Sequence, residues 1–278
     1  MFPLIAALAQ VGGIIVDKIT LTRRQVSTRV FVPILFLFLF LITAILFPLL
    51  GEISQEFFAP YYLIIFLGML ITAFIWNIFY YQGVQAEKVH EFELIIMFQP
   101  LLTILLATIV FKGERNLEIG VAAVVAAIFL IIAHIKKAHL NLTLGDYKLL
   151  LAVILMSSEL ILINILLEVF SPVALYAIRT GIIFIIFFLW YHPQINKVAN
   201  QNIALILGSA SLGVAQMVSK FYGFEQYGVV YTSLVLILSP VLVYVVSTIF
   251  LHERLKFRTI FSAVVILGCI VYATVVAK

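Results

Sequence analysis

Long runs of apolar residues recur along the whole chain, separated by short polar or charged stretches. A helix needs about 20 apolar residues to cross the roughly 30 Å hydrocarbon core of a bilayer. The run 30–50 reaches this length and is apolar on every face, whereas the strands of a membrane barrel alternate apolar and polar residues. The pattern therefore predicts an all-α integral membrane protein.

Ten spanning helices are predicted when charged breaks and breaks rich in Pro, Gly and Asn are taken as their ends. The connections between them are too short for a domain outside the bilayer, so functional residues should lie within the membrane or next to it. The predicted spans are 2–18, 30–50, 60–82, 89–111, 118–135, 147–167, 172–191, 202–222, 228–251 and 257–276.

The two halves of the chain resemble each other at an offset of 140 residues, the spacing between Gly83 and Gly223. The same register aligns Pro100 with Pro240 and, after one deletion, Glu114-Arg115 with Glu253-Arg254. Glycine, proline and a Glu-Arg pair do not replace ordinary apolar residues by chance, so the agreement predicts an internal duplication.

The duplication predicts two five-helix repeats, 1–137 and 138–278. Because five spans per half is an odd number, the second half must lie upside down relative to the first. Inverted repeats of this kind are typical of secondary transporters, whose binding sites lie between the repeats near the bilayer midplane.

Composition agrees with a membrane protein, because 64% of the residues are hydrophobic and only 11% are charged. The net charge of +4 comes from Lys and Arg in short connections, so it indicates topology and predicts no nucleic-acid partner. Connections inside the cell usually carry more Lys and Arg than those outside. Counting these residues on the two sides of the membrane predicts that both termini lie outside the cell. Cys269 is the single cysteine, which excludes disulfides within the chain and thiolate metal sites.

Glu159 is the most deeply placed acid, in the middle of the sixth predicted span. Charged groups in a bilayer are costly, so such a residue is a functional candidate. One interpretation is a residue that binds solute or couples transport to protons. The other is a structural hydrogen bond or ion pair between helices.

Trp76 and Tyr80 are i,i+4 neighbours on the third span, and the repeat offset matches them with Gln216 and Lys220 on the eighth. Such side chains can stack on a small solute or form hydrogen bonds with it. Tyr80 and Lys220 lie near span ends, so the alternative is an aromatic belt with a lysine reaching the interface.

Pro100 and Pro240 lie near the middle of the fourth and ninth spans, where each removes a helix hydrogen bond. Matched helix breaks point to the repeat interface, although each proline alone is equally consistent with a packing kink. The predicted substrate cavity is lined by Gln10, Trp76, Asn77, Tyr80, Gln99, Glu159, Asn164, Gln216 and Lys220.

Enzyme motifs are missing from the sequence, which has no HExxH, no Gly-x-Ser-x-Gly and no Walker loop. The five histidines are scattered and none has metal-ligand spacing to a second His or to Cys. We therefore predict no catalytic residue, no metal and no cofactor.

The motifs resemble those of the EamA-like transporters of the drug/metabolite transporter superfamily. The resemblance rests on Pro100-Leu101-Leu102-Thr103 followed by Phe111-Lys112-Gly113-Glu114-Arg115, similar to the family pattern P-L-F-T…L-G-E-R, and on its repeat Pro240…His252-Glu253-Arg254. Arg29 and Arg179 resemble the arginine that often opens the second helix of each family repeat. The resemblance implies a secondary transporter of metabolites or amino acids, with a central cavity between inverted repeats and no ATPase.

Two features depart from the family pattern. Family members usually begin inside and have a basic connection after the second helix, whereas here that connection carries Glu52 and Glu56. The charge count and the family habit therefore predict opposite orientations. The aromatic residue common in the first family helix is also replaced near Gln10.

The sequence as a whole predicts a secondary transporter of a small amino-acid-like or drug-like metabolite, working by alternating access. The expected partners are a small-molecule solute and membrane lipid, the expected assembly is a monomer or weak homodimer, and the expected location is the plasma or inner membrane. The alternatives are a membrane-embedded enzyme acting on lipid and a non-transporting scaffold with a filled centre.

Overall fold

The computed structural model describes residues 1–86, 95–96, 98–114, 117–134, 144–195, 198–239, 242 and 257–276. Within these ranges the fold is all-helical and contains no β-sheet. One isolated β-bridge joins Ile53 and Phe170 in two of the connections. Its helices are α1 (Phe2–Lys18), α2 (Thr28–Leu50), α3 (Pro60–Ala86), α4 (Phe98–Val110), α5 (Leu117–His134), α6 (Leu144–Leu166), α7 (Pro172–Tyr191), α8 (Asn200–Leu236) and α9 (Phe257–Val276).

Six of these helices, α1, α2, α3, α6, α7 and α8, are long and apolar enough to cross a membrane. Shorter apolar stretches lie in α4, α5 and α9. Large apolar side chains such as Ile45 and Ile64 are 74% and 70% exposed. Outward-facing apolar side chains on long apolar helices are what lipid contact requires. The chain is a multi-pass integral membrane protein, and the exact number of ten spans stays a prediction.

The predicted span 202–222 and the beginning of 228–251 fall within a single element, α8, which ends at Leu236. A break still separates them, because Gly228 has φ 79° and ψ 166°. This backbone region is essentially restricted to glycine. A sharp kink at Gly228 therefore separates two helical arms at the predicted boundary.

The Glu114 carboxylate caps the helical arm that begins after Gly228. Its two oxygens accept hydrogen bonds from the backbone N–H groups of Val229 (3.0 Å) and Val230 (2.7 Å). The first N–H groups of a helix have no partner within the helix, and the helix dipole favours an anion there. Glu114, the acid of the Glu-Arg motif in the first half, thus has a structural role in the second half.

The helices pack in a regular pattern, with α1 against α8, α2 against α7, α3 against α6 and α5 against α9. Two glycines matched by the repeat offset lie at close contacts. A Cβ on Gly83 would lie 2.9 Å from the Leu149 Cγ, and a Cβ on Gly223 would lie 2.9 Å from the Thr232 Cγ2. Both glycines therefore allow tight packing that a larger residue would prevent.

The connections 51–59 and 167–171, which we call the loop pair, join each other at one end of the bundle. The Ser54 N–H donates to the Val169 carbonyl at 2.8 Å. The Ser171 hydroxyl donates to the carbonyl of the last residue of α2 at 2.8 Å. These bonds tie the α2–α3 connection to the α6–α7 connection and close that end.

Candidate functional site

A cavity of about 130 Å³ lies inside the bundle, lined by side chains from α1, α2, α3, α4, α6, α7 and α8. It brings together side chains that are far apart in sequence and polar in character. Of the predicted site residues, the cavity walls include Gln10, Trp76, Asn77, Tyr80, Gln99, Glu159, Gln216 and Lys220.

The remaining predicted residues lie elsewhere. Asn164 is on α6, five residues beyond Glu159, and does not line this cavity. Pro100 is buried at the third residue of α4, next to the cavity residue Gln99. Pro240 lies outside the described residues, so its predicted helix break stays a prediction.

Glu159 on α6 is held by two donors from two other helices. Its Oε1 accepts from the Arg179 Nε on α7 at 2.6 Å, and its Oε2 accepts from the Trp76 Nε1 on α3 at 2.5 Å. Glu159 and Arg179 are each only 2% exposed. This arrangement agrees with the structural interpretation of Glu159, because both carboxylate oxygens are already engaged by the protein.

Asp17 is a buried cavity acid that is absent from the predicted site residues. It lies at the end of α1 and accepts a hydrogen bond from the Ser209 hydroxyl on α8. A short π-helical segment, Ile19–Arg23, continues α1 beyond Asp17. The carboxyl group is therefore inside the bundle instead of at its edge.

The α4 wall of the cavity is fastened to α6 by hydroxyl groups. The Gln99 carbonyl accepts from the Ser157 hydroxyl at 3.1 Å and from the Thr103 hydroxyl at 2.9 Å. The Gln99 Nε2 also donates to the Thr103 Oγ1 at 3.1 Å. These bonds hold Gln99, the residue that precedes Pro100, in the cavity wall.

Asn77 and Lys220 are buried in the cavity wall at 1% and 5% exposure. The Asn77 Nδ2 donates to the Ala73 carbonyl at 2.7 Å, while its Oδ1 has no partner among the described residues. The Lys220 ammonium lies 5.8 Å from the centre of the Phe224 ring. Lys220 is thus a buried cavity residue, which does not fit the alternative of an interfacial lysine.

Aromatic rings form much of the remaining wall. The Trp76 and Tyr80 rings pack edge to face with centres 5.8 Å apart, and Tyr80 packs likewise against Tyr81 at 5.0 Å. The Arg179 guanidinium lies 5.9 Å from the centre of the Tyr176 ring. Such walls combine apolar faces with a few hydrogen-bonding groups, as small-molecule sites do.

Metal binding has no support in the part of the chain that the structure describes, where no group of three His, Cys, Asp or Glu side chains is placed to hold an ion. The charged groups that do converge on the cavity are Asp17, Glu159, Arg179 and Lys220. The site is therefore suited to binding a polar solute by charge and hydrogen bonding.

A family model identifies the second half of the chain. The model of the EamA-like transporter family matches residues 143–275. These residues belong to that family. The predicted resemblance to the EamA-like transporters is confirmed over these residues, and that family belongs to the drug/metabolite transporter superfamily. The match suggests a membrane transporter of the drug/metabolite transporter type.

Solved structures show the same fold. One, titled only "Crystal structure of protein", is 15% identical to this chain; the match covers 98% of this chain and 98% of the other, with a TM-score of 0.73. At this identity the likeness shows the fold alone. No curated protein matches the sequence.

Proposed function

We propose that the protein carries a small metabolite across the membrane by alternating access between two inverted repeats, 1–137 and 138–278. The observation that carries the proposal is the cavity, because it gathers Asp17, Glu159, Arg179 and Lys220 inside an apolar bundle, where charged groups are costly and are functional candidates. Its walls come from both proposed halves.

The packing of the helices supports the repeat assignment. In the numbering of predicted spans, α1 and α6 are the first helices of the two halves, and α3 and α8 contain the third. Each first helix packs against the third helix of the other half, and α2 packs against α7, the second helices of the two halves. Exchanging the halves leaves this pattern unchanged, as a two-fold relation requires.

The two buried acids follow the same relation. Glu159 on the first helix of one half accepts from Trp76 on the third helix of the other. Asp17 on the first helix of the remaining half accepts from Ser209 on the third helix opposite. Each acid thus joins the two proposed halves across the cavity.

For Glu159 we propose a positioning role in place of the predicted proton coupling. Its carboxylate already holds Arg179 and Trp76 in place, so a proton could bind only after one of these contacts opens. Asp17 has a single hydroxyl donor and is the better candidate for coupling by this criterion.

The rival functions make different demands on the centre of the bundle. A scaffold needs no chamber, and a lipid-acting enzyme needs clustered catalytic groups at one membrane face. The observed polar groups instead line an interior cavity that seven helices surround. This arrangement favours transport over both rivals.

The test of alternating access uses the single native cysteine, Cys269. In a Cys269→Ser background, Gln10→Cys and Gln216→Cys each place one thiol in the cavity, and Glu56→Cys places one in the exposed loop pair. A membrane-impermeant methanethiosulfonate is then applied to one face of oriented vesicles at a time.

We expect the cavity thiols to react from both faces and the Glu56→Cys thiol from one face only. Uptake of radiolabelled amino acids into proteoliposomes is measured in parallel, and modification of Gln216→Cys should block any uptake observed. Cavity thiols that react from one face alone, or from neither, would rule out alternating access through this cavity.

A further inference from the structure

One region of the cavity contains the Lys220 ammonium, which forms no ion pair with a described residue. The Lys220 ammonium has no hydrogen bond or salt bridge to any described residue and rests only over the Phe224 ring. An ammonium group buried without an opposite charge is costly, and proteins normally pair it. The missing partner is therefore expected to be an anion that enters the cavity.

Arg179 adds an unused donor to the same region, where its charge and that of Glu159 act on Lys220. Glu159 contacts only the Nε of Arg179, because its second oxygen is taken by Trp76. The Arg179 Nη2 is consequently buried without a hydrogen-bond partner among the described residues. A guanidinium N–H of this kind binds carboxylate oxygens strongly.

The other cavity acid is too distant to serve Lys220. Asp17 is bonded to Ser209, which lies eleven residues before Lys220 on α8. At 1.5 Å per residue the two positions are roughly 16 Å apart along the helix. The cavity thus has one region with Lys220, Arg179 and Glu159, where two cations face one anion, and a separate acidic region at Asp17.

We propose that Lys220 and the Arg179 Nη2 bind the carboxylate of the transported solute, an inference that rests on the proposed transport function. The unpartnered Asn77 Oδ1 lies in the same cavity and accepts a hydrogen bond from an N–H or O–H group of that solute. The substrate class is then a small amino or hydroxy acid, which suits a cavity of about 130 Å³.

The two tryptophans provide a direct binding assay on the purified full chain. Trp76 lines the cavity, whereas Trp190 is 64% exposed on the outer surface. In a Trp190→Phe variant the intrinsic fluorescence reports on Trp76 alone. The probes are lactate with lactamide, L-leucine with L-leucinamide, and inorganic phosphate, so that each carboxylate is compared with its neutral amide.

We expect at least one carboxylate to change the Trp76 fluorescence, and its amide to bind about tenfold more weakly or worse, since a hydrogen bond to a charged group is lost. Lys220→Met should weaken binding of the carboxylate by a similar factor and leave the amide unaffected, and Lys220→Arg should restore it. Lys148→Met, the same change at an exposed lysine outside the cavity, is the matched control.

Several results would overturn the proposal: amides that bind as well as their acids, phosphate as the sole ligand, or no carboxylate bound at all. The acid and amide comparison needs no change at Lys220, so it decides the question even where Lys220→Met does not fold. Carboxylate binding without access from both membrane faces would instead refute the proposed transport mechanism and leave the binding site standing.

Discussion

The buried ion pair between Glu159 and Arg179 leads to a quantitative prediction about stability. The Glu159→Gln substitution keeps the size of the side chain and an oxygen that can still accept from the Trp76 Nε1. It removes only the negative charge that faces the Arg179 guanidinium at 2.6 Å. The variant therefore isolates the cost of an unpaired buried cation.

The expected loss follows from the depth of the pair. Both side chains are almost fully buried, at 2% and 3% exposure, so water cannot replace the missing partner. Removing one member of a buried pair costs about 3–5 kcal/mol. Arg179→Met should cost a similar amount for the opposite reason, because the Glu159 carboxylate then keeps only the Trp76 donor.

The assay is unfolding in mixed micelles titrated with sodium dodecyl sulfate and followed by far-ultraviolet circular dichroism. The double variant Glu159→Gln with Arg179→Met should be more stable than the sum of the single losses predicts, with a coupling of about 0.5–3 kcal/mol. A single Glu159→Gln loss within about 0.5 kcal/mol of zero, the range of ordinary surface changes, would refute the ion pair as a stabilising contact in this state.

Two glycine substitutions give further tests in the same unfolding assay. Gly83→Ala should destabilise the protein by about 1–3 kcal/mol, because its Cβ would lie 2.9 Å from the Cγ of the fully buried Leu149. The control Gly120→Ala, with nothing within 4 Å of the added Cβ, should be neutral or stabilising. Equal effects of the two substitutions would contradict this reasoning. Gly228→Ala should destabilise the protein by about 1–3 kcal/mol, because the φ of 79° and ψ of 166° suit only glycine. The new Cβ would also lie 3.1 Å from the Glu114 carboxyl carbon. An unchanged unfolding midpoint would count against this prediction.

Hydropathy predicted the helices well because a bilayer imposes a simple rule on length and composition. The apolar run of α2, for example, is predicted as 30–50 and observed as Thr28–Leu50. The kink at Gly228 was harder to predict. It depends on the backbone angles of one residue and on the Glu114 carboxylate, 114 positions earlier in the chain.

The site was predicted where a polar residue lies in the middle of an apolar run, as Glu159 does. Asp17 was missed because it lies at the end of its run, where a solvated charge is the ordinary expectation. The π-helical segment Ile19–Arg23 carries α1 further and so buries Asp17. Lys220 was predicted as a cavity residue, although its place near the predicted span end at 222 also allowed an interfacial position. It is buried because α8 continues past that end to Gly228.

The pairing of Glu159 with Arg179 could not be predicted, because hydropathy orders residues along a helix and contains no information about which helix is its neighbour. The duplication supplied part of that information. It related Trp76 to Gln216 and Gly83 to Gly223, and the structure places the first two in one cavity and the second two at tight helix contacts.

These contacts constrain how the protein can move. α1 and α8 are joined by the bond between Asp17 and Ser209 and by the close approach of Leu212 to Gly12, where an added Cβ would lie 3.1 Å away. α3 and α6 are joined in the same way by Trp76 with Glu159 and by Gly83 against its neighbour. Each pair contains one helix from each proposed half.

Packed and bonded pairs of this kind move as rigid bodies, because tight interfaces do not deform continuously. Alternating access would then be a rocking of the α1–α8 pair against the α3–α6 pair. The direct links between the two pairs are the weaker contacts of α1 with α3 and of α6 with α8, which such a motion would change. A solute carboxylate bound to Lys220 on α8 and Arg179 on α7 would connect the first rigid pair to a helix outside it, so the bound anion itself would help to set which state is favoured.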